Sequence, residues 1–450
     1  MSASQPVAAP LTTRRLLCYA LPWLVVQIVT LPLVNFVPGY YASELGIPLL
    51  QVSLVLLVGR GLDIFTDPLI GLLSDRTRTR IGRRKPWIIA GLPILMLGAW
   101  LLFRPPDDAG AFYLLASVTV VYLGFTMIQI TYAAWGAELS PDYQGRSRIA
   151  GWREGVGMVG TLTAISSPLI AQQFGGGLKE AMGAIAVAVL LLAPLLAAPA
   201  LMFVPEPPPR LENKVRLGIS RGVRLALGNR DFRIFAGGLF FVFIGIAPGG
   251  ALSYILFKDA FGAPHLFAWA IMGGWLMTLL CLPFWLWLGG RIGKHLSMIG
   301  ALAWITVFQL LTPVLLYASI DPVWMVVLSV FNGAGLGALL VLPYSMIADI
   351  IDADTIASGR ERSGIFMALG AIILKGALML GVALALAWPA MFGFDAALGP
   401  DNSFAARMQV AIGSSWLTVA FFLCAMPFFL RYPLTRERQE KLRAMIEEAC

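Results

Sequence analysis

Long apolar runs, separated by short polar or charged stretches, cover most of this 450-residue chain. A helix needs about 20 consecutive apolar residues to cross a bilayer, and many of the runs reach that length. The ends of the runs at glycine, proline and charged residues predict twelve membrane-spanning helices: 16–36, 49–72, 86–104, 112–138, 151–172, 180–204, 234–258, 266–289, 296–317, 323–350, 364–390 and 410–431. The pattern therefore predicts an all-α membrane protein.

Composition supports the same class. Hydrophobic residues make up 58% of the chain, charged residues only 13%, and the mean hydropathy is +0.79, whereas soluble domains carry roughly 25% charged residues. The four cysteines and two histidines show no metal-ligand spacing, so we interpret the cysteines as packing residues or free thiols. No nucleophile–base pairing or phosphate-binding loop is visible, so we expect neither an enzyme nor a bound cofactor.

The net charge of +8 follows the loops and does not form a single patch. Basic residues concentrate in the loop after the second span, in the segment 205–233 and in the tail, while acidic residues predominate in the opposite loops. Lys and Arg collect on the cytoplasmic side of membrane proteins, so both termini are predicted to be cytoplasmic and nucleic acid is not an expected partner. The polar N-terminus is interpreted as a retained lead into the first helix, without a cleavage site.

The segment 205–233 is the longest polar stretch, and it divides the twelve spans into six and six. We therefore predict a six-helix bundle over 1–204, a cytoplasmic linker over 205–233, a second bundle over 234–431 and a cytoplasmic tail over 432–450. Two parallel six-helix repeats are typical of the major facilitator fold. A short echo between "GLLSDRTRTRIGRRKPW" and "GGRIGKHLSMIG", at equivalent places in the two halves, supports this interpretation.

Two acidic residues interrupt the second span, in "GRGLDIFTDPLIG". Asp63 and Asp67 are four residues apart and share one helix face, with Thr66 beside them. Asp63 lies roughly 14 Å from the cytoplasmic end of the span, a depth at which charges usually face a cavity or a partner. Such an oxygen cluster suits Na⁺ or a shared proton. The alternative is a helix-end pair held by water or by Arg60.

A lysine in the eleventh span lies at a similar depth. Lys375 is roughly 16 Å from the cytoplasmic side, so it is a candidate partner for the two acids; snorkelling to the interface is the alternative. The basic loop after the second span sets topology and is also expected to bridge helix ends as a gate. The predicted gate residues are Arg60, Asp75, Arg83, Arg84, Asp349 and Asp352.

Several motifs carry a family resemblance. "GRGLDIFTDPLIG…GRRKPW", "YAAWGAELSPDYQGRSRIAGWRE" (132–154), "LPYSMIADIIDADTIASGRERSGIF" (342–366) and the lysine at 375 are similar to those of the glycoside–pentoside–hexuronide:cation symporters, over essentially the whole chain. The resemblance implies cation-coupled symport by alternating access, with a cation site formed by Asp63, Thr66, Asp67 and Thr126. Position 66 is often Asn in the family and here is Thr, so Na⁺, Li⁺ and H⁺ remain open.

The sugar-binding half of the family pattern is altered. Two sugar-binding aspartates of the family correspond to Trp23 and Gln129 here, an aromatic partner corresponds to Ala133, and Arg153 matches the family arginine with a one-residue slip. The expected substrate residues are Trp23, Gln27, Gln129, Arg153, Tyr344 and Lys375, with helix packing as the alternative role for the two glutamines, Trp23 and Tyr344.

The expected solute is a glycoside, sugar or sugar acid. The alternatives are a lysophospholipid or other amphipathic solute, because lysophospholipid-transporting relatives share similar strings, and an uncoupled facilitator or exporter of the same fold. The other expected partners are membrane lipids, and the expected state is a monomer in a bacterial inner membrane.

Overall fold

The computed structural model describes residues 12–140, 143–206, 219–358, 363–434 and 438. Within these ranges the regular structure is helical. Outside the described residues lie 207–218, with its basic residues, and most of the predicted tail. The helices are α1 Thr13–Asn35, α2 Val37–Ser43, α3 Leu49–Gly61, α4 Asp63–Arg76, α5 Lys85–Phe103, α6 Ala111–Leu139, α7 Tyr143–Gln173, α8 Leu178–Phe203, α9 Ile219–Gly228, α10 Arg230–Ala251, α11 Ser253–Ile255, α12 Pro264–Ile292, α13 Lys294–Tyr317, α14 Val323–Ser358, α15 Ser363–Met391 and α16 Phe404–Leu430.

The predicted spans agree with the long helices. Among the described residues, eleven helical segments are long and apolar enough to cross a membrane, and α7 provides the span predicted over 151–172. This helix begins earlier than predicted, at Tyr143, because its first two turns are polar although the helix is continuous. For the same reason α14 continues to Ser358, past three aspartates that end the apolar run. The all-α prediction is confirmed, and the differences lie at polar helix ends.

The second span is made of two pieces, α3 and α4, which meet at Leu62. Gly59 and Gly61 come just before the junction, and glycine lowers helix propensity. The Leu62 N–H still donates to the Val58 carbonyl at 3.2 Å, so the helix is interrupted without a change of chain direction. Asp63 is consequently the first residue of α4.

The chain divides into two compact units. One combines residues 1–41 with 54–212, and the other combines 42–53 with 213–450. The second unit therefore includes a short segment from between the first two spans, which the sequence pattern did not predict. In the first unit α1 packs on α7 and α8, and α5 packs on α6. In the second unit α12 packs on α14, and α10 packs on α15 and α16.

Glycines allow the closest of these helix contacts. A Cβ placed on Gly98 of α5 would lie 2.6 Å from the backbone nitrogen of Val121 on α6, and a Cβ on Gly333 of α14 would overlap the Gly274 carbonyl of α12. Small residues at helix seams are expected in a membrane, where lipid tails are as apolar as side chains and association depends on close packing. The two seams thus have no room for a side chain.

We expect Gly333→Ala to lower the stability of the purified protein by about 1–3 kcal/mol, because overpacking forces neighbouring backbone apart. The matched control is Gly376→Ala on α15, where nothing lies within 4 Å of the added carbon. That variant should be neutral or slightly stabilising, since alanine is the better helix former. Thermal unfolding in detergent measures both, and equal melting temperatures for the two variants would contradict the packing at this seam.

Candidate functional site

A buried carboxylate begins α4. Asp63 is only 3% exposed, and its Oδ2 lies 2.9 Å from Nη1 of Arg60, three residues earlier. Its Oδ1 accepts a hydrogen bond of 3.4 Å from the Thr126 hydroxyl of α6, a residue that is fully buried. A buried charge needs such partners, because an isolated carboxylate in a medium of low polarity is strongly destabilised. The structure therefore brings together Asp63 and Thr126, two of the four predicted cation-site residues.

Arg60 belongs to this cluster. Its guanidinium lies over the Tyr122 ring at 4.9 Å from the ring centre, while it pairs with Asp63. The pairing of Arg60 with this acid was the alternative that the sequence left open, and the gate role of Arg60 stays a prediction. Its position one turn before Asp63 on the same face places the guanidinium at the carboxylate.

The other two predicted cation-site residues follow on α4. Asp67 is half-buried, one helical turn after Asp63. The Thr66 hydroxyl donates to the Leu62 carbonyl at 3.2 Å, so its oxygen remains able to accept a hydrogen bond or bind a cation. The hard oxygen atoms that Na⁺ prefers are thus arranged along one turn of α4.

Trp23 lies inside the first unit and is 7% exposed. Its ring stacks parallel to Tyr132 of α6, which in turn stacks on Tyr19. α7 approaches so closely at Gly157 that an added Cβ would lie 2.5 Å from the indole. Little of the indole ring is therefore exposed, and the substrate role of Trp23 stays a prediction.

Arg153 and Glu154 of α7 both contact Trp23. The guanidinium of Arg153 lies over the Trp23 ring at 4.9 Å, and it donates from Nε and Nη2 to Oε1 of Glu154 at 2.9 and 2.6 Å. The other Glu154 oxygen accepts from the Trp23 indole N–H at 3.4 Å. The Glu154 side chain is 54% exposed, so a carboxylate and a guanidinium are presented together.

Sequence reasoning missed Glu154. The signal that could have found it is the acid next to the arginine in "GWRE". The resemblance directed attention to the two positions where the family has aspartates, Trp23 and Gln129, and the carboxylate beside Trp23 instead comes from α7.

Gln129 lies on α6 between the Asp63–Thr126 contact and the stacked rings of Tyr132, Tyr19 and Trp23. It lies on α6 one turn beyond Thr126, and its buried Oε1 has no hydrogen-bond donor among the described residues. Thr126, Gln129 and Tyr132 follow one another at three-residue intervals, so roughly 9 Å of helix links the Asp63 cluster to the ring stack. The predicted Gln27 lies near Trp23 on α1, where its Cγ faces Gly157.

The second unit carries the remaining predicted substrate residues. Tyr344 of α14 is 59% exposed, and Lys375 of α15 is half-buried. Their roles stay predictions.

The basic loop is held by acids. Nη2 of Arg84 lies 2.6 Å from Asp75 and 2.9 Å from Glu138 at the end of α6, and Arg83 pairs with the same Glu138 at 2.8 Å. Glu206 accepts hydrogen bonds from the backbone N–H groups of Arg83 and Arg84 at 2.6 and 2.8 Å. The predicted grouping of Asp75, Arg83 and Arg84 is therefore present. Sequence reasoning missed Glu138 and Glu206.

The second unit repeats this arrangement. Lys294, which begins α13, pairs with Asp349 of α14 at 2.6 Å, just as Arg84, next to the start of α5, pairs with Glu138 of α6. In each half a cation at the start of the third span meets an acid near the end of the fourth. Asp352 lies on the same helix as Asp349 and is exposed, and the gate role of both aspartates stays a prediction.

Fold and site define a polytopic membrane transporter. The family model described as "MFS/sugar transport protein" matches residues 18–436, so the chain belongs to that family of the major facilitator superfamily, and the resemblance is confirmed.

Individual relatives differ in their solutes. The putative glycoside/cation symporter YagG of Escherichia coli (strain K12) is 27% identical over 354 residues, covering 77% of this chain and 75% of the relative. Sodium-dependent lysophosphatidylcholine symporter 1 of Mus musculus is 26% identical over 487 residues, covering 96% and 88%. The crystal structure of a D-xylose–proton symporter superposes with a TM-score of 0.67 at 16% identity, covering 94% and 98%, which shows the shared fold.

We expect Glu138→Gln to lower stability by roughly 1–3 kcal/mol, because the guanidinium of Arg84 is largely buried and would lose a charged acceptor. The matched control is Asp107→Asn, which breaks the exposed pair with Lys179 and should leave the melting temperature unchanged, since exposed ion pairs contribute little. Thermal unfolding of the two purified variants makes the comparison. A Glu138→Gln variant as stable as the Asp107→Asn control would show that the cluster does not hold the loop.

Proposed function

We propose that this protein is a cation-coupled symporter of a small polar solute, working by alternating access with Na⁺ or H⁺ as the coupling ion. The observation that carries the proposal is the Asp63 carboxylate, buried at a helix junction and reached by the Thr126 hydroxyl. A second carboxylate and a threonine oxygen follow within one turn. The symporter names of two relatives support the same conclusion.

The coupling ion would bind to oxygens of Asp63, Asp67, Thr66 and Thr126. Asp63 has one cationic partner in Arg60, and a bound ion would add positive charge beside the two carboxylates. An uncompensated charge is costly at this depth, so binding of the ion lowers the cost of closing the cavity around the site. A solute favouring the same closed state would then be thermodynamically linked to the ion.

The solute would bind at Arg153, Glu154 and Gln129. Glu154 and the Gln129 carbonyl accept hydrogen bonds, whereas Arg153 donates them. Neighbouring hydroxyls of a sugar or glycoside can satisfy both kinds of group, and a sugar acid could also pair with Arg153. The proposed site lies one or two turns of α6 from Thr126, which provides a direct physical connection between solute and ion.

An amphipathic solute is the second candidate. One open face of α7 carries Arg148, Gly151, Trp152, Gly155, Val156 and Val159. Nothing lies within 4 Å of a Cβ added at either glycine. An apolar helix face with an arginine and a tryptophan at one end suits an acyl chain with an anionic or zwitterionic headgroup. The lysophosphatidylcholine symporters among the relatives agree with this alternative.

Removing the Asp63 charge should abolish the response to the coupling ion. Purified wild-type protein should melt at higher temperature as Na⁺ replaces choline, or as pH falls, because a ligand that binds the folded state stabilises it. Asp63→Asn should show no such increase. Thr126→Val should weaken the response by roughly tenfold, the factor that corresponds to about 1.4 kcal/mol.

Thr131→Val is the matched control, since Thr131 is equally buried on the same helix and its hydroxyl donates only to backbone carbonyls. Uptake into vesicles completes the test, with glycosides, uronic acids and lysophosphatidylcholine offered under imposed Na⁺ and pH gradients. Uptake that only equilibrates the solute and responds to neither gradient would indicate the uncoupled facilitator and refute the proposal.

Glu154→Gln should raise the half-saturating concentration of whichever solute that panel identifies by tenfold or more, because hydrogen bonds to charged acceptors contribute about 1.5–3 kcal/mol. The stabilisation by Na⁺ or protons should remain as in the wild type, since Glu154 is outside the ion cluster. Uptake kinetics and melting curves measure the two effects separately. Unchanged uptake would exclude Glu154 from the solute site.

A further inference from the structure

The segment 42–53 joins the second unit although the chain on both sides of it belongs to the first. Side chains hold it there. The Ser43 hydroxyl donates to Oδ2 of Asp259 at 2.5 Å, and Ser53 donates to the Ala383 carbonyl at 2.9 Å. Polar contacts therefore hold both ends of this short segment, and one of the two partners, Asp259, can change its charge.

Next to Ser43, Glu44 carries the ionic part of the attachment. Its carboxylate accepts from Lys258 Nζ and from the Tyr254 hydroxyl, both at 2.7 Å, and Lys258 also donates to the Ser43 carbonyl at 3.0 Å. The Glu44 side chain is 37% exposed, so water reaches this pair. Asp259 differs, because it is fully buried.

Asp259 has a vacant acceptor. It lies in a π-helical turn, Leu256–Ala260, and its Oδ1 is buried without a hydrogen-bond partner among the described residues. A Cβ added at Gly399 would lie 3.5 Å from this oxygen, so the 3₁₀ turn Ala396–Asp401 packs over it. A buried carboxylate oxygen without a donor is costly when charged and much less so when protonated.

We propose that Asp259 is a proton-binding site, and that the bound proton strengthens the attachment of segment 42–53 to the second unit. Protonation removes the buried negative charge and leaves Oδ2 able to accept from Ser43. The inference does not rest on the proposed transport function, because every group involved lies outside the ion and solute clusters.

The direction of the pH effect follows from the burial. Desolvation raises the pKa of Asp259 from its ordinary 3.8 to about 6, partly opposed by the Ser43 hydrogen bond and the charge of Lys258 and assisted by the charge of Glu44. Detachment of the segment would hydrate the carboxyl group and return its pKa towards 3.8. The attached state therefore binds the proton more tightly, so attachment is strongest below about pH 4 and weakens as pH rises through about 6.

The elements around this turn carry other ionisable groups: Tyr254 on α11, His265 on α12, Asp395 and Asp401 beside and within the 3₁₀ turn, and Arg407 on α16, which donates to the Ala260 carbonyl at 3.4 Å. The charges that act on the Asp259 pKa are those of Lys258 and Glu44. If detachment restored the ordinary pKa fully, the attachment equilibrium would change on the order of 100-fold between the limits.

Hydrogen exchange of the purified full-length protein tests the proposal. Peptides covering 42–53 are compared at about pH 5 and about pH 8, with labelling times scaled for the intrinsic exchange rate. In the wild type, protection should be greater at the lower pH by up to about tenfold, the factor that the two pKa values give between these pH values. Asp259→Asn imitates the protonated group, so its protection should be high and independent of pH. The matched control, Asp107→Asn, alters an exposed acid and should keep the wild-type response.

Ser43→Ala provides a second variant if Asp259→Asn does not fold. Loss of the Ser43 hydrogen bond removes an interaction that lowers the Asp259 pKa, so the midpoint of the pH response should move to higher pH. Wild-type protection that is the same at both pH values would overturn the proposal. So would an undiminished pH response in Asp259→Asn, or a Ser43→Ala midpoint that does not rise.

Discussion

Placing a carboxylate at membrane depth is the constraint on which the first unit is organised. Asp63 requires a cation and a hydroxyl donor within reach, because charge in a medium of low polarity is otherwise very costly. Arg60 and Thr126 meet that requirement from two different helices. The helix junction at Leu62 places Asp63 at the start of α4, and α6 carries the contact onward to Gln129 and Tyr132. The proposed ion and solute sites therefore share the packing of one helix, α6.

Ion pairs also occur at the ends of the spans in each unit. Arg84 with Glu138, and Lys294 with Asp349, each join the start of a third span to the end of a fourth. An internal repeat conserves such geometry even when the residue types differ, since the requirement is one positive and one negative group at a fixed place. In the first unit Asp75 and Glu206 add further acceptors, so its basic loop is held more firmly than a loop that only sets topology.

The proposed solute site differs from the family pattern in where its carboxylate comes from. Trp23 occupies the position of a family aspartate, yet it is packed beneath Arg153 and beside Tyr132. The Glu154 carboxylate of α7 lies beside Trp23 and accepts hydrogen bonds from both Trp23 and Arg153. The proposed solute site therefore contains one carboxylate, which comes from α7 and not from the two positions where the resemblance expects aspartates. As a hydrogen-bond acceptor it would approach solute hydroxyls from a different direction.

The sequence by itself determined the fold class, the number of spans and the acidic cluster. Apolar length and charge are properties of the chain read one segment at a time, and a four-residue spacing fixes a shared helix face for Asp63 and Asp67. It did not determine which acids meet which bases. The Arg60–Asp63 pair was only one of two alternatives in the sequence, and Glu138, Glu154 and Glu206 were not expected at all. Pairing across helices, and the membership of 42–53 in the second unit, were decided only by tertiary structure, because they depend on how helices distant in sequence pack together.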